Sequence, residues 1–198
     1  DTLLSHETRE AVRNAASSCN EVSKETIGRV LSLLSRPPQL PRILARLHEM
    51  GVLEKFIPAF ARARGMLQFN EYHKYTVDEH CLLAVRRAIE FTQRPGPLGE
   101  VYLEIEQKEI LHLALLVHDL GKGYVEDHSD VGKRIACDTA IHLGLSQHQK
   151  EMLEFLVHKH LLMSRAALWH DINDPAVMQS FVVEVGSPVV LRLLYVLT

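Results

Sequence analysis

His118-Asp119 is the pair of side chains in this sequence with the plainest capacity for chemistry. It closes an apolar run, Ile110 to Val117, and stands directly before Leu120-Gly121-Lys122-Gly123. An imidazole and a carboxylate leave the end of one helix together there, and both are ligands for borderline or hard divalent cations. Alone, the dipeptide reads equally as a capped helix end, so its weight depends on what can join it. His80 lies 38 residues earlier on a predicted helix, sharing a face with Val77 and Ala84, while Arg86, Arg87 and Glu90 fall elsewhere. An inward histidine needs a partner, which is a backbone carbonyl as readily as a metal. His128 stands one turn before Gly132, whose missing Cβ would let an ion or a phosphate approach the helix. A polar N-terminal cap built from Asp127-His128-Ser129-Asp130 explains His128 as well. His160 continues the apolar line Leu153, Leu156, Val157, whereas His158 shares the face of Glu151 and Glu154. His160 is therefore expected to point inward, as a ligand or a structural core histidine, and His158 outward.

Each of these histidines sits at the inner face or the end of a different predicted helix, a recurrent way to build a metal site in a bundle. Imidazole and carboxylate donors without thiolate suit Mn, Mg, Fe, Co or Zn, one or two ions per site, and do not choose among them. Of the 12 histidines, His6, His142, His148, His158 and His170 fall in polar contexts. His48 and His112 read as packed or half-buried. His73, in the polar approach Glu71-Tyr72-His73-Lys74-Tyr75 just before the His80 helix, is ambiguous between a solvated residue and one that touches a substrate. Arg62 and Arg64, in a glycine-containing turn, read as exposed basic residues, with phosphate binding as the alternative.

The elements that must position these residues are helical. Apolar residues recur three or four apart almost throughout, which predicts an all-α helical bundle. Helices are expected over Leu3 to Ser18, Glu21 to Ser35, Arg42 to Met50, Thr76 to Gln93, Glu104 to Asp119, Ser129 to Leu143, Ser146 to Leu162, Pro175 to Val185 and from Pro188 onward. Arg94-Pro95-Gly96-Pro97-Leu98-Gly99 reads as a loop. Residues 1–65 are expected to form a helical lead-in and 66–198 the functional domain. The 198-residue chain is 46% hydrophobic with a net charge of −3, which argues against disorder, nucleic acid and an anionic membrane surface. Cys19, Cys81 and Cys137 form no CxxC pair, so a disulfide or thiolate framework is not expected and a reducing cytoplasm fits. No apolar run reaches the roughly 18 residues of a membrane span. Both ends read as cuts through a longer polypeptide.

The order His80, His118-Asp119 with Gly-Lys following, then His128 and His160, resembles the HD superfamily of metal-dependent phosphohydrolases. The longer strings Tyr72-His73-Lys74-Tyr75-Thr76-Val77-Asp78-Glu79-His80, His118-Asp119-Leu120-Gly121-Lys122-Gly123, Asp127-His128-Ser129, His160-Leu161-Leu162-Met163-Ser164 and Asp171-Ile172-x-Asp174-Pro175 are similar to the HD domain of bacterial PII uridylyltransferase/uridylyl-removing enzymes. The likeness runs from about residue 25 and takes in Gly51 to Phe69. It implies an HD-domain helical bundle and a phosphodiesterase that removes UMP from a tyrosine of a PII nitrogen-regulatory protein. In such multifunctional enzymes a nucleotidyltransferase domain adds the UMP and ACT domains sense glutamine. This sequence has no Gly-Ser followed by Asp-x-Asp, the signature of the transferase site. The resemblance further implies metal held by His80, His118, Asp119, His128 and His160, with another Asp expected shortly after Leu197-Thr198. Lys122 would steady phosphate oxygens and His73 would donate a proton. Trp169-His170 departs from the basic residues the family pattern has there, and the His-Asp-Leu-Gly-Lys string argues against a guanosine tetraphosphate hydrolase, whose motif carries Glu-Asp. Two other readings are open: an HD phosphohydrolase acting on a free nucleotide or cyclic dinucleotide, and a non-catalytic metal-binding regulatory module.

Overall fold

A computed structural model describes residues 5–19, 21–67, 75–93 and 96–198. All regular structure among them is helical: α1 (His6–Ser18), α2 (Lys24–Leu34), α3 (Leu40–Glu49), α4 (Phe60–Ala63), α5 (Val77–Glu90), α6 (Pro97–Glu104), α7 (Lys108–Val117), α8 (His128–His142), α9 (Gln147–His158), α10 (Leu162–Trp169), α11 (Pro175–Val185) and α12 (Pro188–Leu197). The all-α expectation holds.

The centre is α7. Every residue from Ile110 to Val117 is buried, as befits a helix apolar on nearly all sides. Helices α2, α5, α9 and α12 pack around it, and α8 lies along α9. Its one polar core residue is fully satisfied: His112 Nδ1 donates to the Leu34 carbonyl at 2.5 Å, and the Tyr102 hydroxyl donates to its Nε2 at 2.9 Å. That pair of bonds ties α2 and α6 to α7. Leu34, Leu40, Leu44, Leu53, Phe56, Ile57 and Phe60 enter the same core as the helices that follow, whereas α1 buries none of its residues.

The starts of α5, α8 and α11 are capped by side chains. Thr76 and Glu79 form a reciprocal capping box on α5, Asp127 accepts from the Ser129 and Asp130 amides at the start of α8, and Asp174 caps α11 ahead of Pro175. Three segments differ. The expected loop at 94–99 already contains the start of α6, because Pro97 takes the first helical position that its fixed φ favours. Extended backbone at Ile105 then separates α6 from α7, a break that the apolar periodicity runs straight across. Beyond α9, the chain turns at Lys159-His160 and restarts as α10, so His160 lies in a turn and not on the helix.

Candidate metal centre

His118 is the C-terminal cap of α7, so its position is set by the most fully buried helix of the core. Its Nδ1 donates to the Leu115 carbonyl at 2.9 Å; His160 does likewise to Val157 at 2.7 Å. In both rings this leaves the Nε2 lone pair directed away from the backbone, the tautomer a metal ligand requires. His80, on the cleft face of α5, brings its Nε2 to 3.2 Å from that of His118 and 3.4 Å from Asp119 Oδ2. His118 Nε2 is 3.5 Å from the same oxygen, and His160 Nε2 is 3.8 Å from Asp119 Oδ1. His128, at the start of α8, completes the ring of imidazoles, its centroid 5.6 Å from that of His160.

Two donor groups result: His80, His118 and Asp119, and Asp119, His128 and His160, each with its ligand atoms within 4.8 Å of one another. Asp119 belongs to both and turns a different oxygen toward each. These groups could hold one or two divalent ions, and the donor chemistry fits: imidazole nitrogens and both oxygens of one buried carboxylate converge at a single place.

The electrostatics agree. Burial pushes His118 down to about 4 and lowers His160 as well, so both rings are neutral at pH 7 and available as ligands. Burial alone would raise the Asp119 carboxyl, but the His118, Lys122 and His80 charges outweigh it and hold it below the ordinary carboxylate range. With His118 neutral, Lys122 is the permanent cation of that set, its Nζ 2.7 Å from Asp119 Oδ2. The cluster opens into a cleft of about 540 Å³ that also exposes Arg87, Phe91, Leu98 and Tyr195.

Residues 77–181 match the HD domain family. The chain belongs to that family. Within this HD domain the match takes in all five candidate ligands and Lys122. Over 173 residues, 85% of the chain, it is 42% identical to the bifunctional uridylyltransferase/uridylyl-removing enzyme of Ruegeria pomeroyi and 41% identical to that of Cereibacter sphaeroides. Over the same length it is 36% identical to the enzyme of that name in Nitrosococcus oceani. The chain spans 19% of each of these relatives.

The residues singled out from the HD domain's sequence thus divide. His80, His118, Asp119, His128, His160 and Lys122 come together in one place. His73 lies outside the described residues. Gly132 does not open the helix to an ion: a Cβ there would meet Val157 Cγ1 at 3.1 Å and approach the His118 carbonyl oxygen at 3.6 Å, so its role is packing against α9 and the end of α7. Arg64 is no free phosphate donor, since it pairs with Glu54 and donates to the His48 carbonyl at 2.5 Å. Arg62 donates to the Gly123 carbonyl at 3.1 Å and stacks over Tyr124.

Two structural supports escaped the sequence reading. A Cβ on Gly121 would lie 2.1 Å from the His128 carbonyl oxygen, so only glycine lets the turn after His118-Asp119 seat against the start of α8. The Gly-Lys-Gly string signals that turn without saying what it must avoid. The second is a buried cluster in which His48 Nε2 donates to Asp78 Oδ2 at 2.9 Å, an oxygen that also accepts from the Gly65 amide at 3.1 Å. Asp78 is two residues from His80 in the first turn of α5, so this cluster fixes the entry of a ligand-bearing helix.

Proposed function

We propose that this HD domain hydrolyses the phosphodiester joining UMP to a tyrosine of a PII signalling protein, as the uridylyl-removing module of a longer cytoplasmic enzyme. The observation that carries the reading is the convergence of histidine nitrogens and both oxygens of Asp119 in an open cleft. The relatives' names, which speak of uridylyl removal, support the uridylyl group as what is removed, and the PII tyrosine is what the sequence resemblance implies. His80, His118 and Asp119 would hold one divalent ion, and His128 and His160, with Asp119, a second; Mn or Mg suits the carboxylate and imidazole mixture. When bound, such an ion supplies Lewis acidity toward the phosphate and a water acidified toward neutral pH.

The chain's own residues do the rest. Lys122, anchored on Asp119, lies beside the cluster where its charge can meet a non-bridging phosphate oxygen. Water oxygen attacks phosphorus, the bond from phosphorus to the tyrosyl oxygen breaks, and UMP leaves one way and tyrosine the other. The tyrosyl oxygen, with a reference pKa of about 10, needs less protonation help than an alkoxide. His73 is the donor proposed for that proton.

The test is release of UMP from uridylylated PII by the full-length protein with Mn²⁺ or Mg²⁺, run beside free nucleotides and cyclic dinucleotides. UMP release lost in His118→Ala supports the reading. Metal bound at full occupancy with no UMP release, or turnover of free nucleotides alone, sinks it.

A further inference from the structure

Helix α5 carries a second pattern beyond its ligand. His80, Ala84, Arg87, Ala88 and Phe91, at the helix's end, follow one another at helical spacing and all line the cleft. At about 1.5 Å per residue, Ala84 and Ala88 stand roughly 6 and 12 Å along the axis from His80. Ala84 is half-buried and gives the cleft a low lining beside the ligand cluster, while Ala88, 2% exposed, is almost wholly covered. Leu98 of α6 and Tyr195 of α12 line the same cleft, half-buried, as does Phe91. A side chain at the C-terminal end of a helix leans back toward the N-terminus, which inclines Phe91 over the alanine floor. The cleft thus joins the polar ligand cluster to an apolar and aromatic lining from Ala84, Phe91, Leu98 and Tyr195. Its volume of about 540 Å³ falls within the roughly 300–1,000 Å³ of small-ligand pockets.

We propose that the apolar part of this cleft, floored by Ala84 and walled by Phe91, Leu98 and Tyr195, is a subsite for the planar base of a nucleotidyl group whose phosphorus lies at the ligand cluster. Arg87, exposed at the rim and paired with Glu90 at 2.7 Å, offers donors only, which favours a base with carbonyl oxygens over one presenting an amino group. The inference rests on the reaction proposed above and adds to it a source of selectivity: the domain reads the nucleotide as well as the phosphodiester.

The experiment uses the full-length protein with Mn²⁺ and two chromogenic diesters, the p-nitrophenyl ester of UMP and methyl p-nitrophenyl phosphate, which lacks a base. Ala84→Leu fills the floor; Phe91→Ala removes a wall. Base stacking on an aromatic side chain is worth on the order of tenfold or more in affinity. Each variant should lose at least that factor in its kcat/KM preference for the UMP ester, through KM, with Mn²⁺ content and melting temperature unchanged. Calorimetric binding of UMP should weaken by a similar factor, a readout that needs no turnover. Unchanged preference and unchanged UMP affinity in both variants overturn the subsite. UMP binding that responds to the variants, in a protein that hydrolyses neither ester, sustains the subsite and removes the reaction instead.

Discussion

The first turn of α5 joins two buried clusters built from the same residue types. On one side, His48 is held between Asp78 and Glu54, with Arg64 beside it; on the other, His80 faces His118 and Asp119. In the first, the imidazole hydrogen already sits on a carboxylate at 2.9 Å and a guanidinium donates toward the other ring nitrogen at 3.3 Å. The ring keeps no lone pair for an ion, although Asp78 Oδ1 and Glu54 Oε2 are buried without a hydrogen-bond partner, and the arginine supplies the positive charge that a metal would otherwise bring. In the second, hydrogen bonds to backbone carbonyls occupy the Nδ1 atoms of His118 and His160 and leave their Nε2 atoms to converge. Histidine and carboxylate in a buried cluster are therefore not enough to make a metal centre. What matters is where the ring protons go.

The comparison breaks most readily at His118. His118→Ala should abolish binding of one metal and cut turnover about a thousandfold, since an ion is worth several kcal/mol to such a reaction and each decade is about 1.4 kcal/mol. Elemental analysis beside a UMP-release assay checks this, and normal metal content in the variant would show the cluster to be as closed as that of His48. Acid comes next. His118 and His112 are both held neutral, with burial pushing each from 6.5 down to about 4. Between those values the unfolded chain binds protons that the folded one refuses. Stability is therefore fully present above pH 6.5 and falls toward pH 4, by about 1.4 kcal/mol per unit for each histidine. Urea unfolding across that range should show the slope, and His112→Leu should remove its own share while leaving metal content alone.

Smaller effects test the supports. Gly121→Ala forces a contact of 2.1 Å against the His128 carbonyl oxygen; overpacking of this kind costs about 1–3 kcal/mol. The melting temperature should drop several degrees, and the ion that needs His128 should bind more weakly than the one held by His80. His48→Ala leaves Asp78 buried without its donor, a cost of about 1–3 kcal/mol, yet metal stoichiometry should stay at the wild-type value. Lost metal in a folded His48→Ala protein would mean that the two clusters act as one. His170→Ala, on an exposed residue, should change stability by less than about 0.5 kcal/mol.

Much of this was readable from the chain. Four histidines and Asp119 could be grouped because helical periodicity decides which side chains point inward, and because His118-Asp119 closes a run too apolar to be anything but core. His160 illustrates the limit: it is buried as expected, but in a turn after α9 has ended, since periodicity does not show where a helix stops without a glycine or proline. The start of α6 was hidden because proline marks both loops and helix starts. The His48 cluster was invisible for a different reason. Its partners are Asp78, Glu54 and Arg64, on separate elements, and no spacing rule links them. Gly132 carried the right residue type for close approach, but the approaching group is Val157 and not an ion.

The backbone contact at Gly121 limits how this centre can change. With the start of α8 resting directly on the turn that follows His118-Asp119, backbone meets backbone between the two halves of the donor set, and a side chain at Gly121 can only push them apart, never draw them closer. An ion of different radius must be accommodated by torsions of the histidine side chains alone. Selection can retune this centre through its rotamers, and not by sliding the elements that carry them.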